Sequence, residues 1–130
     1  MEHKNMKLEP TRCYELPYPP SVNHIYMPVK RGKKRGYALN EKAAAYRNDV
    51  ILTIGKGFTT ITTPIRVLVE LFMPDNRKRD LDNLGKALFD AMTYAGVWKD
   101  DSLIHDLRII RRGIKPNGQA IVTVMQIVDD

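Results

Sequence analysis

The stretch between Pro64 and Pro74 places the strongest limit on how this chain can fold. Its residues alternate between an apolar series and a more varied series. The apolar series consists of Ile65, Val67, Val69, Leu71 and Met73. A period of two residues is typical of a β-strand that buries one face, and proline ends a strand because it has no backbone N–H to donate. We therefore predict a strand over residues 65–73.

Two other segments have apolar residues at helical spacing, three or four positions apart. The first series consists of Ala43, Tyr46, Val50 and Ile54, and the second of Leu81, Leu84, Leu88, Met92 and Ala95. Asn40 is the candidate N-cap of the first helix, and Asp82 is that of the second. Gly55 and Gly96 stand where each series stops. We predict helices over residues 41–54 and 82–95.

Three shorter segments have the composition of strands. The first, TRCYEL at residues 11–16, precedes the rigid sequence PYPP. Two apolar runs, at residues 104–111 and 120–128, flank KPNG, and we expect them to pair as a hairpin because Asn-Gly is a strong hairpin signal. The order strand, helix, strand, helix, hairpin predicts a layered α/β fold of the α+β type. We expect a small mixed sheet of about four strands with two or three helices packed on it.

Length and composition favour one domain with a polyanionic partner. The chain has 130 residues and a net charge of +6, which fits a single domain over residues 1–130 and favours attraction to phosphate groups. The single cysteine, Cys13, excludes an internal disulfide, and we expect it to be buried. No segment has the roughly 18 apolar residues of a membrane span. We expect a cytoplasmic protein with no membrane partner, in which the polar residues 1–10 form a flexible arm.

Cationic side chains are concentrated in three segments. A basic loop is expected over residues 28–39, where glycines separate Lys30, Arg31, Lys33, Lys34 and Arg35. The second segment, before the predicted helix at residues 82–95, contains Arg77, Lys78 and Arg79. The third contains Arg108, Arg111, Arg112 and Lys115. One such run is usually a solvated surface, but three in a small domain favour salt-dependent binding of nucleic acid.

Four carboxylates bracket the second predicted helix, with Asp80 and Asp82 before it and Asp100 and Asp101 after it. Asp82 alone is more simply explained as a cap, because aspartate is favoured at a helix N-terminus. Mg²⁺ is typically held by one or two carboxylates together with waters and substrate phosphate. Two or three converging aspartates would therefore suit metal-dependent phosphodiester hydrolysis, although the D-x-D spacing by itself is a weak signal.

The length of this helix sets a geometric condition on the carboxylates. A helix of about 14 residues rises about 21 Å, and residues 96–101, even if fully extended, return only about 20 Å. Asp101 would then barely reach Asp80 within one chain. Three explanations are open: the helix is shorter than predicted, the return segment is stretched, or the third carboxylate comes from a neighbouring chain.

Lys86 lies four residues after Asp82 and therefore on the same face of the helix. Spacing alone favours an ordinary ion pair with Asp82 or Asp90, which contributes only about 0.3–0.5 kcal/mol when exposed. The alternative is a role in stabilising negative charge on a scissile phosphate or its leaving group.

The sequence RKRDLDNLGKALFDAMTYAGVWKDD, at residues 77–101, resembles the signature of the RusA family of Holliday junction resolvases. The shared features are an R-D-x-D-N-x-x-K core and an Asp-Asp pair after a tryptophan. Upstream, LPYPPSVNHIY at residues 16–26 is similar to a P-P-S-x-N segment of that family. The resemblance covers most of residues 14–128, and the composite motif is far more specific than D-x-D alone.

The resemblance implies a homodimeric endonuclease of DNA recombination and repair that depends on Mg²⁺, with Mn²⁺ as a substitute. Such an enzyme cuts opposed strands of four-way junction DNA symmetrically, in a bacterial cell, and is often encoded by a phage or prophage. By matching positions, the metal-binding and catalytic residues are Asp80, Asp82 and Asp101, with Lys86 as the catalytic lysine. Arg79 and Asn83 flank the core, with implied roles in phosphate contact and in support of the carboxylates. The chain departs from the family in its longer N-terminal arm and in its longer, more basic loop over residues 30–35.

We assign DNA contacts to Asn83 and to cations of the three basic segments. These cations are Lys30, Arg31, Lys33, Lys34, Arg35, Arg77, Lys78, Arg79, Arg111 and Arg112. Two other functions are compatible with the residues: a non-catalytic nucleic-acid-binding module in which the aspartates cap helices, and a metal-dependent nuclease acting on other forms of DNA or RNA. The sequence contains no G-x-S-x-G motif, no Walker-type glycine loop and no Cys/His zinc spacing, so three other classes have no support. These are triad hydrolases, nucleotide hydrolases and zinc fingers.

Overall fold

A computed structural model describes residues 7–128 of the chain. The strands in this range are β1 (Lys7–Leu16), β2 (Tyr26–Arg31), β3 (Lys34–Leu39), β4 (Ile65–Met73), β5 (Ile104–Ile114) and β6 (Gln119–Val128). The helices are α1 (Glu41–Ile54) and α2 (Leu81–Tyr94), and a short 3₁₀ turn, Asp101–Leu103, precedes β5. The predicted strand at residues 65–73 and the predicted helix at residues 41–54 are confirmed.

Four of the strands form one mixed sheet in the order β1-β6-β4-β5. The central strand β4 pairs antiparallel with β6 on one side and parallel with β5 on the other. A parallel pair needs a long crossover connection, and α2 forms that connection. This sheet, with helices packed on it, confirms the predicted α+β class. The remaining strands, β2 and β3, form a separate two-stranded sheet.

The helices cover one face of the four-stranded sheet. Every second residue of β4, from Ile65 to Met73, is buried, whereas the residues between them are partly exposed. The helices contribute Tyr46 and Val50 from α1, and Leu84, Leu88 and Met92 from α2, to the same core. Burial of each large apolar side chain contributes about 1.5–3 kcal/mol, so this layer fixes both helices on the sheet.

The ends of the helices follow from local hydrogen bonds and packing. At the start of α1, Oδ1 of Asn40 accepts hydrogen bonds from the backbone N–H groups of Lys42 (2.9 Å) and Ala43 (3.4 Å). The N-cap position of α2 is Asp80 and not the predicted Asp82. The start lies further upstream because Leu81 packs against the core and is drawn into the helix. Asp82 therefore belongs to the first turn of α2.

The predicted hairpin between the two C-terminal runs is wrong, because β4 lies between β5 and β6. The connection at residues 115–118 crosses the end of β4, where the backbone N–H of Lys115 donates to the carbonyl oxygen of Met73 over 2.9 Å. Two strand spacings amount to about 9.6 Å, which four residues can span. Asn117 and Gly118 both have positive φ, at 66° and 67°. The Asn-Gly signal marked a reversal of chain direction, but it did not determine which strands pair.

The structure also corrects the predicted basic loop at residues 28–39, most of which belongs to the hairpin of β2 and β3. The hairpin turns at Gly32, whose φ of 60° suits a two-residue turn. Arg31 pairs with Lys34 across that turn, and Tyr26 pairs with Leu39 at the base. The glycine that indicated a loop is thus the residue that permits a tight turn between two strands.

Two smaller predictions concern the N-terminal region. Residues 1–6 of the expected flexible arm lie outside the described residues, whereas residues 7–10 belong to β1. The strand predicted at residues 11–16 is therefore longer than expected. Cys13 was expected to be buried but is exposed, because it lies on the outward side of this edge strand. Within residues 7–128, neither helix has the length and apolar character needed to cross a membrane.

Candidate active site

A groove with a volume of about 510 Å³ runs along one face of α2. The helix lines it at positions three or four apart, with Asp82, Gly85, Lys86, Phe89, Asp90 and Thr93. The other lining residues are Ile25, Tyr26, Asp100, Asp101, Leu107 and Ile109. This α2 groove therefore contains three of the four predicted catalytic residues. The fourth, Asp80, lies at the N-cap of the same helix.

The two groups of aspartates lie at opposite ends of the α2 groove. Asp82 is in the first turn of α2 and Thr93 is in the last turn, a separation of roughly 16 Å along the helix axis. Nε1–H of Trp98 donates to Oγ1 of Thr93 over 2.6 Å, which holds the segment leading to Asp101 at the C-terminal end of α2. Consistent with this separation, no three His, Cys, Asp or Glu side chains within residues 7–128 lie close enough to hold one metal ion.

The structure bears on two of the three explanations that the helix length left open. The helix is not shorter than predicted, because α2 has 14 residues. The return segment is not stretched, because the backbone N–H groups of Gly96 and Val97 donate back to the last turn of α2 and Asp101 already belongs to the 3₁₀ turn. Within one chain, therefore, Asp101 does not reach Asp80 or Asp82.

The first turn of α2 presents two carboxylates with free acceptor capacity. Asp80 occupies the N-cap position, but its side chain makes no capping hydrogen bond. Oδ1 of Asp82 accepts a hydrogen bond from the backbone N–H of Asn83 over 3.0 Å. Both side chains are exposed, and the positive end of the helix dipole stabilises their charge. Two exposed carboxylates fit Mg²⁺, which takes oxygen ligands and keeps several waters.

The opposite end of the groove carries a second pair of exposed carboxylates. The carboxylate of Asp100 accepts a hydrogen bond from Oγ–H of Ser102, and this hydrogen bond is the main reason why the pKa of Asp100 lies below its usual value. Asp101 follows at the first position of the 3₁₀ turn and faces the same groove. Both exposed carboxylates are therefore accessible to a cation or to a second protein chain.

Lys86 is held by the segment that precedes β2. Its Nζ donates a hydrogen bond to the carbonyl oxygen of Asn23 over 2.9 Å. The neighbouring Val22 N–H donates to the carbonyl oxygen of Asn83 over 3.4 Å. These bonds attach the sequence PPSVN, residues 19–23, to the first half of α2. The two motifs that carry the family resemblance, PPSVN and the R-D-x-D-N-x-x-K core, are thus in contact.

The ion pair that spacing favoured for Lys86 is absent from the described part of the chain, where Lys86 pairs with neither Asp82 nor Asp90. An ammonium group has three protons, and the carbonyl of Asn23 accepts one of them. The others remain available to a ligand in the groove. An exposed ammonium four residues from Asp82 can donate to a phosphate oxygen that is bound beside that carboxylate.

Comparison with known proteins agrees with these observations. The family model described as Endodeoxyribonuclease RusA matches residues 17–125. The chain belongs to the RusA family. The crossover junction endodeoxyribonuclease RusA of Escherichia coli (strain K12) is 37% identical over 119 residues, which cover 90% of this chain and 96% of that protein. The protein of the same name from Enterobacteria phage 82 is 37% identical over 114 residues, which cover 86% and 92%.

In this RusA-family chain, Asp75 binds two of the three cations that precede α2. Its carboxylate accepts hydrogen bonds from Nη1 and Nη2 of Arg79, at 2.7 and 3.0 Å, and from Arg77. The hydrogen bonds from Arg79 are the largest reason why the pKa of Asp75 lies well below its usual range. Arg79 and Arg77 are thus partly engaged within the protein, and Lys78 is exposed. Their contact with DNA stays a prediction, as does the supporting role of Asn83.

The other predicted DNA-contacting cations lie in two places. Lys30, Arg31, Lys33, Lys34 and Arg35 are exposed at the tip of the β2–β3 hairpin. Arg111 and Arg112 are exposed on β5, the edge strand of the main sheet, and Nε of Arg112 donates to Oε2 of Glu70 over 3.0 Å. The hairpin begins at Tyr26, which lines the α2 groove. The five cations at its tip therefore belong to an element that starts at the groove.

The sequence did not indicate an ion pair that joins the two helices beside the groove. The guanidinium of Arg47 binds the carboxylate of Asp90 through two hydrogen bonds of 2.8 and 2.9 Å. It also lies 4.4 Å from the ring centre of Tyr94, and the hydrogen bond to Asp90 is the main cause of the raised pKa of Arg47. The partners are 43 residues apart, so no local spacing could have identified the pair.

We predict that Asp90→Asn lowers the free energy of unfolding by about 2 kcal/mol, because a hydrogen-bonded charge pair that is mostly buried loses one charge. The side chains of Arg47 and Asp90 are only 14% and 19% exposed. The control is Asp106→Asn, which breaks an ion pair with Arg66 whose side chains are 35% and 52% exposed and should cost less than about 1 kcal/mol. Equal losses in urea denaturation would contradict the structural role of the Arg47–Asp90 pair.

Proposed function

We propose that this chain is a crossover junction endodeoxyribonuclease, which resolves four-way (Holliday) DNA junctions by metal-dependent cleavage during DNA recombination and repair. The observation that carries the proposal is the first half of α2, where two exposed carboxylates stand beside a lysine that has no carboxylate partner in the described chain. Relatives at 37% identity bear the name crossover junction endodeoxyribonuclease RusA, which supports the same substrate for this chain.

Asp80 and Asp82 would hold Mg²⁺, or Mn²⁺ in its place, at the start of α2. When bound, the metal ion supplies Lewis-acid chemistry at the scissile phosphate. Asp80 and Asp82 would hold that ion at the positive end of the helix, beside the bound phosphate. Lys86 would donate a hydrogen bond to the negative charge that develops on the phosphate or its leaving oxygen. The carbonyl of Asn23 keeps the ammonium directed along the groove.

The third carboxylate, Asp101, would come from a second copy of the chain. The burial of Val97 and Trp98 supports this assignment, because it keeps Asp101 at the far end of the groove within its own chain. A two-fold dimer would bring Asp101 of each chain to the first turn of α2 in the other. Two equivalent sites would then face a junction that is itself roughly two-fold, which explains how paired nicks are placed symmetrically.

The test of the proposed function is cleavage of a labelled, mobile four-way junction beside a linear duplex of the same sequence, with and without Mg²⁺. We predict paired, symmetric nicks in the junction that require Mg²⁺ and are absent from the duplex. Asp82→Asn should abolish these nicks and leave the fold intact, because it removes the negative charge of one metal-binding carboxylate. Junction binding without cleavage would instead favour a non-catalytic binding module, and equal cleavage of the duplex would favour a nuclease of other substrates.

The role of Lys86 makes a separate prediction. Lys86→Ala should lower the cleavage rate of bound junction by roughly 10²–10³-fold, because it removes a donor to the developing charge. Junction affinity, measured without metal, should change by only a few-fold, since one of many cations is lost. Lys56→Ala removes the same charge from an exposed position after α1 and serves as the control. Weakened binding with a normal rate of cleavage in Lys86→Ala would contradict the assigned role.

A further inference from the structure

The β2–β3 hairpin has two chemically different faces. In an antiparallel pair, directly opposite residues share a face, and the next pair along lies on the other face. One face carries the pairs Tyr26–Leu39, Pro28–Tyr37 and Lys30–Arg35. We call it the aromatic face. The other face carries Met27–Ala38, Val29–Gly36 and Arg31–Lys34.

The second face borders the body of the protein over its base. Met27, Val29 and Ala38 line a cavity of about 580 Å³ together with Leu39, residues of the PPSVN segment and the start of α1. Met27 and Val29 stay 43% and 39% exposed. Beyond the base, Tyr37 lies on the face opposite Met27 and Val29 and does not line this cavity. Tyr37, the central ring of the aromatic face, is 77% exposed, and Tyr26 is 54% exposed. A ring with so little buried area contributes little to folding and is accessible to a ligand.

The aromatic face is continuous with the α2 groove. Tyr26 lies at the base of the hairpin and lines the groove together with Asp82 and Lys86. Its hydroxyl accepts a hydrogen bond from Nη2 of Arg47 over 3.4 Å, which connects it to the Arg47–Asp90 pair. Successive pairs on one face are about 7 Å apart. A path from the groove along the hairpin therefore meets Tyr26, then Tyr37, then the cations Lys30 and Arg35.

Exposed aromatic rings in line with cations have the chemistry that binds single-stranded nucleic acid. Bases of an unpaired strand stack on aromatic side chains, and cations follow the phosphates. A base in a continuous duplex has both of its faces covered by neighbouring bases, so it cannot stack on a tyrosine in this way. The strand-exchange point of a junction is where bases can leave the stack.

We propose that the aromatic face binds the DNA strand that leaves the α2 groove, with Tyr37 stacked on an unpaired base and with Lys30 and Arg35 on its phosphates. The identity of this strand rests on the proposed function. A polyanionic strand matches the paired cations at the tip of the face, where Lys30 lies opposite Arg35. The hairpin thus selects open junctions over uninterrupted duplex.

The first experiment replaces Tyr37 and measures DNA affinity without metal, so that no cleavage occurs. Tyr37→Leu removes the ring but keeps apolar bulk, and Tyr37→Phe keeps the ring. The probes are a short oligothymidine strand, a four-way junction and a linear duplex. We expect Tyr37→Leu to bind the single strand and the junction roughly five-fold or more weakly than the wild type, while Tyr37→Phe binds them normally. Neither variant should change duplex affinity.

Three results would overturn the proposal. The first is unchanged single-strand and junction affinity in Tyr37→Leu, and the second is an equal loss on the duplex. The third is a change in the mass of the protein assembly in solution, which would show that Tyr37 contacts another chain. The wild-type cleavage assay in Mg²⁺ is independent of these binding measurements, so failure of the proposed function is recognised separately.

A second experiment leaves Tyr37 in place and tests whether the cations of the aromatic face contact the strand more than those of the opposite face. Lys30→Ala with Arg35→Ala, and Arg31→Ala with Lys34→Ala, each remove two positive charges from the same hairpin. Salt dependence of single-strand binding reports the number of phosphate contacts. We expect the first double variant to reduce the slope of log K against log salt by about 1.4, at about 0.7 for each contact, and the second to reduce it less. Equal reductions would overturn the assignment to the aromatic face.

Discussion

The burial of one face of α2 in the hydrophobic core determines where the proposed catalytic groups of this helix lie. Leu84, Leu88 and Met92 are buried at intervals of four residues. Asp82 and Lys86 precede Leu84 and Leu88 by two positions, which is a rotation of about 200° around the helix. The same helical period that fills the core thus places the carboxylate and the ammonium on the open side. Substitutions that loosen this packing would move the chemistry together with the helix.

A second constraint comes from the segment after α2. Trp98 is fully buried, and its indole N–H is bound to Thr93. Asp101 follows so closely that it cannot leave the C-terminal end of the groove while Trp98 stays in the core. Within one chain, Asp101 is therefore separated from Asp80 and Asp82 by about the length of α2. The proposed two-fold dimer would remove this separation, because it would bring Asp101 of one chain to the first turn of α2 in the other.

The sequence predicted most features that depend on local periodicity. The strand at residues 65–73 and the start of α1 at Asn40 depend on neighbouring side chains, so they could be located. The resemblance to the RusA family assigned Lys86, which spacing alone would have left as a surface ion pair. Strand order and the Arg47–Asp90 pair could not be predicted, because both depend on residues far apart in the chain. The β2–β3 hairpin was missed because Gly32 indicates a break and a tight turn equally well.

The most direct test of the cross-chain site is to mix two inactive variants, Asp82→Asn and Asp101→Asn, under conditions in which subunits exchange. If each site takes Asp82 from one chain and Asp101 from the other, a mixed dimer has one site with both substitutions and one intact site. We then predict that Mg²⁺-dependent nicking of four-way junctions returns, with one nick per junction instead of two. If mixed dimers form and remain inactive, each site uses both aspartates of the same chain, and the account of the active site is contradicted.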